Sequence, residues 1–493
     1  MEEKKKFRNH ISVILEQTGA GFWVLLGILF WQFIDDPEMI KDISRTEDGL
    51  FWLFVILGGL FALIFIILLI QYIIWCKTYI CVDGTSVIYE RNTLKYQKKT
   101  IGIKNISNIN TEQNLFEILM GTCKVKMDTN SMSTADSTDL VIVLKKKDAE
   151  DFKNYIMSLM KRKEDKLVNH DENDVNISPD VKAAGMEQMI VHGLLSIRFL
   201  SVLIALGAMG GLVGIAGNVI SSGENSLSGQ LSSILILVLF AFSSIWTIVK
   251  GFIQYYGFQV ARKGDSLHIQ YGLLKKVNYT IPIDKINAIR LIQSPQARFM
   301  KYYTVDLINV GMGDNQEEEK SFFLMYDKEE HILDEIKRLL PEFSDCREMR
   351  MEKQPVSVWF VWMIPFSIIT ILLFISLFVI TDLFPELFFV ATPVTVGILF
   401  LIIWILFLKY KTEGYNMEED FLGICKGVFG RRFIFIKYDK IQYISASQNI
   451  MAKHFQIRKA IVFLLASTAN RNHDIPYFTE TKLGQLKEKI LER

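Results

Sequence analysis

Few residues in this chain have the types and spacing that chemistry needs. Glu329, Glu330 and His331, with Asp334 and Glu335 a turn further on, place carboxylates and an imidazole on one helix, the donor set of a metal site. No other histidine is placed to complete it, so the cluster reads as a solvated acidic helix face. Asp314, Glu317, Glu318 and Glu319 offer oxygen ligands to calcium, but lack the loop spacing that arranges ligands around an ion, and read as a charged hairpin tip. The phosphate-binding loop, the dinucleotide glycine fingerprint, His-Glu-x-x-His and Gly-x-Ser-x-Gly are all missing. No catalytic, cofactor-binding or metal-binding residue is therefore assigned, and the expectation is a protein that is not an enzyme.

What does recur is a polar residue in a repeated frame. Ile281-Pro-Ile-Asp-Lys-Ile286 is followed seven residues later by Gln293, Ile101-Gly-Ile-Lys-Asn-Ile106 by Gln113, and Ile436-Lys-Tyr-Asp-Lys-Ile441 by Gln448. The three glutamines fit two roles. They line a shared ligand groove, or, the reading preferred here, each ends a strand by bonding backbone groups that the sheet leaves open. In every copy an alternating strand arrives at the outer isoleucine, turns at a polar pair and leaves as a second alternating strand. Two long apolar runs precede each copy and a short amphipathic helix follows it. The unit is membrane hairpin, sheet module, helix, three times over.

The elements that position these frames follow from segregation of charge and grease. The 493 residues are 50% hydrophobic yet 22% charged, and the uncharged runs 18–34, 50–74, 199–219, 231–249, 356–380 and 387–408 are mostly long enough for the roughly 20 residues a bilayer needs. The fold class expected is an α+β membrane protein: six transmembrane α-helices in three hairpins, with three cytoplasmic β-rich modules, each closed by a C-terminal helix. The boundaries are a basic N-terminus and first hairpin over 1–77, a module over 78–163, a linker over 164–193, the second hairpin over 194–256, the second module over 257–343, a short linker with the third hairpin over 344–409, and the third module over 410–493.

Lys4, Lys5, Lys6 and Arg8 precede the first run, and lysine and arginine crowd the stretches after the second, fourth and sixth. By the positive-inside rule both termini and all three modules are cytoplasmic. Cys76, Cys81, Cys123, Cys346 and Cys425 form no paired spacing and fall on that reducing side, so free thiols are expected. A net charge of +1 argues against a nucleic-acid partner. Within the runs no carboxylate lies mid-span to relay protons or hold a substrate cation. Gly207-x-x-x-Gly211 and Gly210-x-x-x-Gly214 instead permit close helix approach, marking the third span as a packing seam, within the chain or with a partner.

A membrane hairpin feeding a β-rich module with the isoleucine-framed polar pair and downstream glutamine resembles the bacterial pleckstrin-homology-like (bPH2) family. Three copies behind six spans make it similar to the YdbT-type membrane proteins of that family. The family often shows a basic residue and His-Pro in its lead-in; here Arg8-Asn9-His10 is followed by Ile11. The resemblance implies pleckstrin-homology-like barrels, no catalytic residues, a plasma-membrane location and a smaller single-module membrane protein of the family as partner. The function expected is a non-enzymatic scaffold whose modules bind protein segments or each other, so self-association stays open. Basic groups near turns (Lys95, Lys98, Lys99, Arg262, Lys275, Lys276, Arg431 and Arg432) would assist by touching membrane lipids. The alternative is a transport or export accessory that protects against membrane-active compounds; the lack of intramembrane charge favours the scaffold.

Overall fold

The structure is a computed structural model that describes residues 5–18, 27, 49–93, 95–129, 140–164, 180–196, 207, 210–211, 242, 246, 249–309, 322–347, 350–418, 420–466 and 468–491. Among the described residues three helices are long and apolar enough to cross a membrane: Gly58–Cys76, Val358–Leu383 and Pro385–Thr412. They match the second, fifth and sixth apolar runs. The described residues therefore hold three such helices where the sequence predicts six; the first, third and fourth runs fall almost wholly outside them. The described helices turn large apolar side chains outward, Phe400 among them at 71% exposure, a surface that suits lipid.

The chain divides into two compact units, one of residues 1–129 and 139–174, the other of 130–138 and 175–493. In the first unit β1 (Lys5–Phe7), β2 (Thr78–Val82), β3 (Ser86–Asn92) and β4 (Tyr96–Gly102) form one antiparallel sheet in that order. The β2–β3 turn is set by Asp83, whose Oδ1 accepts from the Ser86 and Thr85 N–H groups at 2.7 and 3.1 Å. Burial opposes the carboxylate, but these donors outweigh it and hold the Asp83 carboxyl below its usual range. A second sheet joins β5 (Ile106–Gln113), β6 (Thr122–Thr129) and β7 (Leu140–Lys145). Alternation puts Ile80, Val82 and Val87 of the first sheet against Val125, Met127 and Ile142 of the second. Phe152 and Ile156 of the helix Lys146–Glu164 close that core. Asp148 lies in the first turn of this helix.

The second unit repeats the plan twice. Strands β8 (Asp180–Ala183), β9 (Gln259–Lys263), β10 (Ser266–Tyr271) and β11 (Lys276–Pro282) pair in order. Then come β12 (Ala288–Gln293), β13 (Tyr302–Ile308) and β14 (Phe322–Lys328), closed by the helix Glu329–Leu339. The third module has β15 (Glu352–Lys353), β16 (Gly414–Met417), β17 (Phe421–Lys426) and β18 (Arg431–Lys437). It continues through β19 (Ile441–Ser447), β20 (Ile457–Leu464) and β21 (Asn472–Thr479) to the helix Glu480–Leu491.

Each isoleucine frame is the corner between a module's two sheets. Its middle residues form a single 3-10 turn, Ile103–Asn105, Ile283–Lys285 or Tyr438–Lys440, with the third frame residue buried in all three. The turn redirects the chain, so each module is a four-strand sheet packed on a three-strand sheet and closed by a helix. The four-strand sheets also begin upstream of the paired apolar runs, with β1, β8 and β15. The lead-in and part of the 164–193 segment, read from sequence as a basic N-terminus and a linker, thus supply strands, and 164–193 contributes most of the helix Met186–Ser196 as well.

Candidate interaction site at the sheet edges

The second and third modules are joined by backbone pairing. β12, which starts the second module's three-strand sheet, runs antiparallel to β18, which ends the third module's four-strand sheet, from Ala288↔Ile436 to Gln293↔Arg431. One seven-strand sheet results, ordered β14-β13-β12-β18-β17-β16-β15, and alternation lets it serve two cores. Ile289, Leu291, Phe421 and Phe435 face the second module's core, while Ala288, Leu422, Ile434 and Ile436 face the third's. This is why β17 and β18 carry near-continuous apolar runs, Phe-Leu-Gly-Ile-Cys and Phe-Ile-Phe-Ile.

β19 occupies the position in the third module that β12 occupies in the second, and no strand pairs with its outer side among the described residues. Counting from the frame, Tyr443 corresponds to Ala288 and Ile444 to Ile289. Ile444 packs on the third module's own core as Ile289 does on the second's. Tyr443 points to where the core of a further module would stand: it is 51% exposed, against 0% for Ala288, and stacks on Phe463 at 4.1 Å. The strand reads Ile-Gln-Tyr-Ile-Ser-Ala-Ser, with neither the charges nor the proline by which proteins blunt exposed edges. β4, which corresponds to β18, ends its own sheet but carries Lys98 and Lys99.

The opposite edges are closed by a device written three times. Val143, Tyr326 and Tyr477 each stand three residues before their module's closing helix. Each donates its N–H to a side chain from the segment just upstream of a pair of apolar runs: Val143 to Asn9 Oδ1 at 3.1 Å, Tyr326 to His192 Nδ1 at 3.3 Å, and Tyr477 to Gln354 Oε1 at 3.3 Å. Gln354 also donates to Glu413, at the end of a membrane helix, whose carboxyl is pushed up by burial against the opposing pull of Lys409. His192 packs on Tyr255, Phe322 and Tyr326 with ring centroids 4.7–5.3 Å apart. In the first unit Arg8 lies over Trp75 at 3.8 Å and Trp75 Nε1 donates to the Asn9 carbonyl, so the lead-in is tied to the membrane helix it precedes.

Gln113 donates to the Thr122 carbonyl at 2.5 Å and Gln448 to those of Ile457 and Ala452 at 3.1 and 3.3 Å; Gln293 is buried and bonds the Tyr303 side chain. Directly after each glutamine a short helix starts, capped by Asn114, Ser294 or Asn449, which alternation alone did not reveal. Gly207, Gly210 and Gly211 are helical, with open space at Gly207 and Gly210, while Gly214 lies outside the described residues. The Glu329–His331 cluster is engaged locally: His331 pairs with Asp327 at 3.0 Å and Glu335 with Lys182 and Arg338 at 3.1 and 2.6 Å. Asp314 and Glu317 to Glu319 lie outside the described residues. No group of three metal-ligating side chains occurs among the described residues. Arg262 forks onto Glu342 at 2.8 and 3.0 Å, a structural pair.

The sequence model of the family described as Bacterial PH domain matches residues 40–160, 201–339 and 367–493. Over 251 residues the chain is 23% identical to the UPF0699 transmembrane protein YdbT of Bacillus subtilis (strain 168), covering 49% of this chain and 47% of that protein. The chain thus spans about half the length of the curated relative it matches. No solved structure matches it.

Proposed function

The chain belongs to the bacterial PH domain family, and we propose that it is a non-enzymatic scaffold of the plasma membrane. In this reading six spans in three hairpins hold the three modules at the cytoplasmic face, with both termini cytoplasmic. The third module recruits a partner by strand addition at β19. The observation that carries the reading is the β12–β18 joint: one chain already uses this edge to add a module, and the corresponding edge downstream has no partner strand among the described residues.

The partner that fits is a smaller membrane protein of the same family. Its module would offer a β18-like strand, apolar on both faces, and cover Tyr443 with its core. A second copy of this chain would offer β4, whose Tyr-Gln-Lys-Lys-Thr sequence suits water better than that site. The test is co-purification in mild detergent of the wild type and of Tyr443→Lys with Ser445→Lys, two exposed positions on the edge. A family partner that accompanies the wild type and is lost from the folded variant supports the reading; retention of that partner by the variant removes β19 from it.

A further inference from the structure

The short helix that follows each glutamine bares apolar side chains. In Leu115–Met120 it is Leu119, 84% exposed; in Pro295–Met300 it is Phe299, 92% exposed; in Ile450–His454 it is Ile450, 89% exposed. Each has a second exposed neighbour on the same helix, Met120, Met300 or Met451. A single bare apolar side chain is ordinary on a protein surface. The same exposure on the corresponding helix of three modules is a repeated face, and such faces mark contact with something apolar.

The inner sides of these helices fix where that face lies. In the third module Ala452 is buried against Val358, Val361 and Trp362, in the first turns of the membrane-crossing helix Val358–Leu383, and Phe455 just beyond the short helix stacks on Phe360 at 4.7 Å. In the second module the Ser294 hydroxyl donates to the Leu195 carbonyl at 2.9 Å and Ala297 is buried against Leu195, just before the apolar run 199–219. In the first module Lys124 pairs with Glu117 of the short helix at 3.0 Å and with Glu16 of the helix Val13–Gln17, which leads into the run 18–34. Each short helix is thus tied to the start of a pair of apolar runs, the level at which a span enters the bilayer.

The joint between the second and third modules separates lipid from protein as the occupant. Arg298, on the helix Pro295–Met300, donates to the Val428 and Phe429 carbonyls of the third module, each at 3.0 Å. Phe299 beside it nevertheless keeps its 92% exposure, so a docked module leaves this face bare. Phe429 in turn meets Trp404 edge-on at 6.4 Å. Trp404 lies eight residues, or about 12 Å, inside a membrane-crossing helix that ends at Thr412. Lys301 and Lys453, both exposed and at or beside the C-terminal ends of their helices, suit anionic headgroups.

We propose that the three short helices are interfacial anchors, whose bare side chains dip among the lipids of the membrane that the same chain crosses. Apolar groups would sit at the boundary of headgroups and acyl chains while the helix backbone stays at the surface. The modules would then be pinned against the bilayer rather than hanging from it. For the first two modules the inference rests on the six-span reading; in the third the span itself is described, and none of it depends on docking at β19.

The test places a benzoylphenylalanine probe, one at a time, at Leu119, Phe299 and Ile450 of the full chain in vesicles of phosphatidylethanolamine and phosphatidylglycerol. Irradiation is followed by mass spectrometry of the adducts. Phe378, exposed in the middle of Val358–Leu383, and Phe242, exposed in the run 231–249, are the lipid-facing controls, and Lys487 is the water-facing one. The expected result is a phospholipid adduct at all three positions and at both lipid-facing controls, with none at Lys487. No lipid adduct at Ile450 where Phe378 gives one, or adducts to protein in place of lipid, would overturn the inference. A lipid adduct at Phe242 with none at Phe299 also counts against it. Absence of the adduct at Phe242 faults the six-span reading instead, and Ile450 then decides alone. The three probed side chains are almost fully exposed, so the substitutions leave the fold in place.

Discussion

Ala288 lies opposite Ile436 across the seam between the second and third modules, and both side chains belong to the third module's core. A residue from one module thus completes the interior of the next. The corresponding pair at the far end of the third module is half made: Tyr443 is in place, and the strand that would face it is not part of the described chain. A joint made at β12, with the corresponding edge of the next module unpaired among the described residues, is what gives β19 its place as a docking edge.

The edge locks differ in strength in a way that mutation can read. Gln354→Ala leaves the Tyr477 N–H without its acceptor in a buried setting, which should cost about 1–3 kcal/mol. His192→Ala loses the Tyr326 acceptor and also leaves a void among three aromatic rings, and should cost about 3–5 kcal/mol. Thiol labelling on heating checks both, because Cys346 and Cys425 are buried and react only on unfolding.

Two glycines should respond in opposite directions. A Cβ at Gly430 would lie 2.7 Å from the Gln293 carbonyl oxygen and 3.4 Å from the Pro295 ring, so Gly430→Ala should strain the β12–β18 joint by about 1–3 kcal/mol. Gly484, within the helix Glu480–Leu491, has nothing within 4 Å of that position, and Gly484→Ala should stabilise by up to about 1 kcal/mol. The same labelling assay ranks them against the wild type.

Acid should destabilise the third module through His473. Its folded pKa is about 4 against 6.5 for the free side chain, so between these values the unfolded chain binds a proton that the folded chain refuses. Stability from this group is full above pH 6.5, falls as pH drops and levels off near pH 4, a change on the order of 3 kcal/mol. His473→Gln should flatten that part of the stability profile measured by unfolding at stepped pH, and an unchanged slope would assign it to other groups.

Strands that bury one face or both were legible because alternation and apolar runs report burial directly. β10 shows this, with Leu267, Ile269 and Tyr271 all inward. The opening strands β1, β8 and β15 were not, since Lys-Lys-Phe, Asp-Val-Lys-Ala and Glu-Lys hold too few apolar residues to show a period. Their partners are strands beyond a pair of apolar runs, a tertiary fact. The docking edge left a trace in hindsight. β18 is apolar on both faces while β4 is polar on both, a contrast that separates a joined strand from an open one. The edge locks left almost none, because asparagine, histidine and glutamine share only the ability to accept a hydrogen bond.

The most direct measurement is photo-crosslinking in the native membrane, with a benzoylphenylalanine probe at Tyr443 and a control probe at Lys487 on the exposed side of the closing helix. The scaffold reading predicts a discrete adduct at Tyr443 only, joining it to a strand at the edge of a bacterial PH domain in a second protein. The same adducts from both positions, or none from Tyr443, would contradict it.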